Sequence, residues 1–107
     1  MISKAKDDDR GAADLLKILG QETRIRILER LRGGEHCVCD ICPDIGEQSN
    51  VSRHLGILKM SGLIRDRRVG TRQFYRVVVP EVFPLIDAAR AASSSGSSLT
   101  DADGPRD

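Results

Sequence analysis

A small, mainly α-helical domain carrying one β-hairpin is the fold class this sequence predicts, in the order α-α-α-α-β-β-α. Three observations lead there. Apolar residues recur at helical spacing in four segments, a run of β-formers is split by a single glycine, and 107 residues leave room for one domain only. A chain this short buries a modest core, so a second copy adding its own apolar face would help to stabilise it.

Residues 1–10 read as a mobile arm ahead of a domain over 11–92. The first helix is expected over Ala12–Leu19, with Leu15, Leu16 and Leu19 on one side and Gly20 ending it. The second runs over Glu22–Arg32 on the spacing of Ile25, Leu28 and Leu31, and Gly33-Gly34 stops it. A third, short helix is expected over Val38–Ile45. It is irregular, because Pro43 lacks an amide proton and crowds the carbonyl of Cys39. In the fourth, Gln48–Met60, Val51, Leu55 and Leu58 form the inward stripe, which leaves Ser49, Asn50, Ser52, Arg53 and Gly56 on the outward face. Gly62 caps it. Leu63–Arg68 and Arg72–Val79 flank Gly70 as a hairpin. After Pro80, and with Pro84 in its opening, a last helix carries Val82, Leu85, Ile86 and Ala89 as one apolar stripe. From 93 to 107 the chain is rich in Ser, Gly and Asp and is expected to be disordered.

Two short helices in succession, the second polar on its outer face and followed by a basic hairpin, describe a helix-turn-helix with a wing. Charge follows the same division. The net charge is +1, but Gln48–Arg76 holds seven basic residues (Arg53, Lys59, Arg65, Arg67, Arg68, Arg72, Arg76) against Asp66 alone, whereas Glu35–Glu47 holds four acids and no base. A basic block of this kind suits nucleic-acid phosphates, and a solvated face is its plain alternative. Gln48, Asn50 and Arg53 can hydrogen-bond to base edges, Ser49 and Ser52 suit phosphates, and Arg67, Arg68 and Arg72 suit a phosphate or the minor groove. His54 projects toward the buried edge and reads as a packing residue.

No stretch is apolar enough to span a membrane, and the acidic N-terminus lacks the apolar core of a signal peptide, so a cytoplasmic, thiol-reducing setting is expected. Cys37, Cys39 and Cys42 fall within six residues, a density that points to metal or redox chemistry. Thiolates select soft ions, and three of them suit a trigonal arsenite or antimonite centre. A tetrahedral zinc site would need a fourth ligand, for which His36 and His54 are the imidazoles available. In a regular helix Cys39 and Cys42 lie about 60° apart but Cys37 lies about 160° from Cys39. Convergence of all three therefore requires the backbone near Cys37 to leave the helix, and effector binding is expected to unwind or bend this segment. Cys39 and Cys42 also form a C-x-x-C pair open to disulfide formation, which keeps a redox switch as the alternative.

These motifs resemble the ArsR/SmtB family. Leu16–Leu28 is similar to its opening helix pair, Glu35–Ile41 to its metal-box helix, Gln48–Leu55 to its recognition helix and Gly70–Arg76 to its wing, so that the likeness spans Ala12 to Ala92. The resemblance implies a winged helix-turn-helix repressor of operator DNA, dimeric through its first and last helices. Leu15, Val82, Leu85, Ile86 and Ala89 are then the interface candidates. The C-x-C-x-x-C spacing is similar to that of the arsenite-sensing branch, which makes Cys37, Cys39 and Cys42 the effector ligands and arsenite or antimonite the effector, with no organic cofactor. Branches sensing cadmium or lead recruit N-terminal cysteines absent here, and the last helix offers Asp87 but no histidine for the family's interfacial zinc. An enzymatic reading of the C-x-x-C finds no preceding strand and no nucleophile-base set. A protein-only interaction module would not call for the basic excess along 48–76.

Overall fold

A computed structural model describes residues 2–96. Five helices and three strands follow one another as α1 (Ile2–Leu19), α2 (Glu22–Arg30), β1 (His36–Cys37), α3 (Val38–Ile45), α4 (Gln48–Met60), β2 (Ile64–Val69), β3 (Arg72–Val77) and α5 (Val82–Gly96). Helices with a small hairpin wing are the fold class expected from the sequence.

Helix α1 takes in nearly all of the segment expected to be a mobile arm. Nothing between Ile2 and Arg10 breaks a helix: lysine and alanine favour it, aspartate is tolerated and no proline intervenes. Asp8–Asp14 are exposed, so this part of the helix buries nothing, and burial begins at Leu15. Helix α2 stops two residues earlier than its pattern suggested. Leu31 is its C-cap and Gly34, at φ 136°, completes the turn, yet Leu31 still points inward and is 2% exposed. Ile27, which the spacing argument passed over, is buried as fully as Leu28.

The sheet has three antiparallel strands in the order β1-β3-β2, one more than a hairpin. The extra strand is only two residues long, too short to leave an alternating pattern; His36 pairs with Tyr75 and Cys37 with Phe74. Strands β2 and β3 pair from Ile64↔Val77 to Val69↔Arg72, closed by Gly70 at φ 65°, which favours glycine there.

Ile27, Leu28, Ile41, Val51, Leu55, Leu58, Ile64 and Val82 form the centre of one core under α2–α5 and the sheet. Burying such a side chain stabilises the fold by roughly 1.5–3 kcal/mol. Helix α5 opens with Pro84 in its first turn, where a missing amide costs little. It is tied to the end of α2 by charge: Arg32 donates to Asp87 (2.9 Å) and to Glu29, and its guanidinium lies 4.6 Å from the Phe83 ring centroid. Arg90 completes the cluster on Glu29 at 3.0 Å. These arginines hold the Glu29 and Asp87 carboxyls below the usual range. Of the tail read as disordered, residues 93–96 belong to α5, and 97–107 lie outside the described residues.

Candidate nucleic-acid interface

Helices α3 and α4 are separated only by Gly46 and Glu47, and α4 presents its polar side outward. Val51, Leu55 and Leu58 are at most 1% exposed, and that burial fixes which way the other side chains face. Gln48, Ser49, Ser52 and Arg53 are exposed and Asn50 is half-buried, all within the first two turns. Arg53 donates from Nη2 to Asn50 Oδ1 at 2.8 Å, so the two side chains stand as a pair. His54 is buried at 5% exposure, and its Nδ1 accepts from Arg24 Nε at 3.1 Å. Arg24 also donates to the carbonyl of Ile18 at 3.1 Å, so His54 links α4 to the end of α1. Burial, reinforced by Arg53 and Arg24, holds the imidazole below its ordinary pKa and therefore neutral at pH 7.

The hairpin register sorts the arginines by face. Opposed pairs Arg65↔Arg76, Arg67↔Phe74 and Val69↔Arg72 share one face, and Ile64↔Val77, Asp66↔Tyr75 and Arg68↔Gln73 share the other. Ile64 is buried, so the second face is the inner one. Arg67 and Arg72 thus stand on the outer face, whereas Arg68 stands on the inner face close to the tip. Arg67 is not free: Nε and Nη2 each donate to Glu35 at 2.8 Å, and the guanidinium lies 5.7 Å from the Phe74 centroid. Arg65 and Arg76 also stand on the outer face. Sequence reasoning counted them in the basic block without assigning them a role, and only the register shows where they point. Asp66, the single acid of the block, accepts from Lys59 Nζ (3.2 Å) and from Gln73, which fastens the base of the wing to α4.

The cysteine segment keeps Cys37 outside α3, as the expected helix bounds require, and departs from expectation in which thiols meet. Cys37 lies in β1, outside the helix, and its sulfur caps α3 by accepting from the Cys39 amide at 3.3 Å. The sulfurs brought together are those of Cys37 and Cys39, paired as a disulfide with Cα atoms 5.2 Å apart, rather than those of the C-x-x-C pair. Cys42 is free and half-buried against the core, and burial pushes its thiol up. Among the described residues no three His, Cys, Asp or Glu side chains already converge as a metal site. Neither histidine joins such a group: His36 pairs with Tyr75 in the sheet, and His54 accepts from Arg24.

The interface candidates divide as well. Val82 and Ile86 are 0% and 2% exposed within the chain's own core, and Leu15 is half-buried against it. Leu85 and Ala89 are exposed, and so is Leu16 at 58%. With Leu19, Gly20, Ile25 and Ile86 these three line an apolar groove of about 210 Å³ between α1 and α5. Leu16 was legible as apolar in the sequence, but the choice between it and Leu15 depends on how α1 rolls against α2.

Comparison with known proteins agrees with this geometry. The family described as bacterial regulatory protein, arsR family, matches residues 21–66. An HTH-type transcriptional regulator from Methanocaldococcus jannaschii is 40% identical over 81 residues, covering 71% of this chain and 91% of that one. The arsenical resistance operon repressor of Escherichia coli is 46% identical over 65 residues, 59% of this chain and 56% of the repressor. A homodimeric winged helix-turn-helix DNA-binding domain from Mycobacterium bovis superposes with a TM-score of 0.70 at 31% identity, over 89% of this chain and 88% of that one. The described helices include none long and apolar enough to cross a membrane. Regulation of transcription, not catalysis, is what this fold and these relatives have in common, and the chain belongs to the ArsR family of winged helix-turn-helix transcriptional regulators.

Proposed function

We propose that this regulator is a cytoplasmic homodimeric repressor that releases operator DNA when its cysteine segment binds arsenite or antimonite. The observation carrying the effector assignment is the juxtaposition of the Cys37 and Cys39 sulfurs, which in reduced form are a two-donor chelate for a thiophilic centre. Cys42 follows Cys39 by three residues on α3, on the same side of the helix, and supplies the third thiol. As(OH)3 would exchange its three hydroxyls for three cysteine thiols with release of three waters and no change of oxidation state. Two features of the chain would convert that exchange into a signal. The Cys37 sulfur would give up its cap on α3, and Cys42 would be drawn from its packing, while Pro43 already denies the Cys39 carbonyl its helical partner. Helix α3 leads into α4 through two residues, so its displacement shifts the reading face. The E. coli relative, an arsenical resistance repressor, supports the same effector class.

On the DNA side, Gln48, Asn50 and Arg53 would meet base edges and Ser49, Ser52, Arg67, Arg68 and Arg72 would meet phosphates. The groove lined by Leu16, Leu85 and Ala89 would close against a second copy, as the homodimeric M. bovis domain suggests. A second reading has its own support. The Cys37–Cys39 pairing is the bond a redox switch would form, two thiols losing two protons and two electrons to an oxidant such as peroxide.

Arsenite titration of the reduced protein, following thiolate-to-arsenic ultraviolet absorption and release of promoter DNA together, tests both. One equivalent per chain with DNA release is expected. Release on mild peroxide treatment, with no arsenite binding, would transfer the function to the redox reading.

A further inference from the structure

The outer face of the hairpin is built at an electrostatic cost. Arg65 and Arg76 stand directly opposite each other, an arrangement of like charges that weakens a strand pair; among the described residues neither has an acid within 4 Å, and Arg76 lies near enough to Glu35 to help Arg67 lower its pKa. Arg67 and Arg72 share that face. The anion present there is Glu35, whose two oxygens accept from Arg67 Nε and Nη2 at 2.8 Å each. A planar guanidinium engaged by two oxygens in parallel is also the geometry with which arginine binds a phosphate. We propose that Glu35 stands where a DNA phosphate is bound in the complex, so that its carboxylate is an internal competitor for Arg67 and closes a phosphate-contact surface formed by Arg65, Arg67 and Arg76.

This rests on the DNA-binding reading above and adds to it a determinant of affinity. The pair is exposed enough to exchange readily, with the arginine side chain 56% and the glutamate 26% accessible. Exchange with phosphate conserves the hydrogen bonds of Arg67 and returns Glu35 to water. The competitor is also tethered to the effector segment. Glu35 lies two residues before Cys37, and Cys37 pairs with Phe74, the residue opposite Arg67. A rearrangement at the cysteines therefore reaches Arg67 by a path that bypasses α4.

Phosphate contact is independent of sequence, so a fluorescein-labelled random duplex titrated over a range of salt concentrations is a sufficient probe. Glu35→Gln is expected to tighten binding about two- to five-fold, the size of an exposed ion pair, and to steepen the slope of log K against log salt by up to about 0.9, one phosphate contact. Asp40→Asn makes the same charge change on a side chain that does not touch Arg67, and is expected to act less. In an Arg67→Ala background the gain from Glu35→Gln disappears. A Glu35→Gln effect no larger than that of Asp40→Asn, or one that persists without Arg67, would overturn the proposal. The Arg67 Nε–H resonance of the wild-type protein, expected to shift on adding duplex, gives a reading independent of affinity; an unmoved resonance would also overturn it. Absence of any salt-dependent binding to DNA by the wild type would instead remove the reading on which it stands.

Discussion

Helices α3 and α4 are neighbours in sequence and form the two arms of one motif, yet they are built on opposite terms. Helix α4 spans thirteen residues and buries Val51, Leu55 and Leu58 at 1% exposure or less. Helix α3 spans eight, buries only Ile41 fully, contains Pro43 and is capped by a sulfur in place of an oxygen. A helix that has to present side chains to a rigid duplex gains from being pinned by its inner face. One that has to respond to a small ligand gains from weak attachment, because a ligand shifts an equilibrium only by its differential affinity for the two states. The contrast supports the proposed division of roles, with the reading face on α4 and the responsive element on α3.

The largest expected effect breaks the pinned helix. Leu55→Ala removes a fully buried side chain and should cost about 2–5 kcal/mol of unfolding free energy in urea titration. Cys42→Ala, on the weakly held helix, should cost about 1 kcal/mol or less, since one half-buried sulfur is lost. Comparable costs for the two would end the contrast. Next comes the reading face: Arg53→Ala should weaken operator binding by about 1–3 kcal/mol in fluorescence anisotropy with little change in unfolding.

A smaller effect concerns the fastening of α4 to α1. His54 is held neutral in the fold, with a pKa below its ordinary 6.5, by burial and by Arg53 and Arg24. The unfolded chain binds its proton first as pH falls, so this position destabilises the fold progressively from about pH 6.5 downward and has no such effect above it. The charged groups facing it are Arg24 and Arg53. Unfolding measured between pH 7 and 5 should fall for the wild type and stay flatter for His54→Gln. Equal slopes would show that the imidazole does not carry the dependence. Glu35, Glu29, Asp66 and Asp87 act in a separate window. Their carboxyl pKa values are lowered in the fold, so the stability they add is present above the ordinary carboxylate range and is lost only as pH falls through it. The smallest expected effect is Cys39→Ser, on an exposed side chain. It should leave the melting temperature within about 2 °C of wild type, a change of no more than about 0.5 kcal/mol, while arsenite no longer releases DNA.

Much of this was legible in the chain. Periods of three and four residues gave the stripes of α4 and α5, Gly70 marked the hairpin, and α3 falls on the expected residues 38–45. Elsewhere local pattern was silent. Strand β1 is two residues long and exists only because β3 lies beside it. Helix α1 runs back to Ile2 through residues with no apolar stripe to announce it.

What the sequence by itself determined is the set of elements, the polar face of α4, the basic excess beyond it and the concentration of three thiols in six residues, because each follows from local spacing and composition. Only the tertiary structure decided which thiols meet, that Val82 and Ile86 are used within the chain's own core while Leu16 remains exposed, and that Glu35 reaches across thirty-two positions to Arg67. Those outcomes depend on strand register and on how helices roll against one another, and both are set by packing between segments distant in sequence.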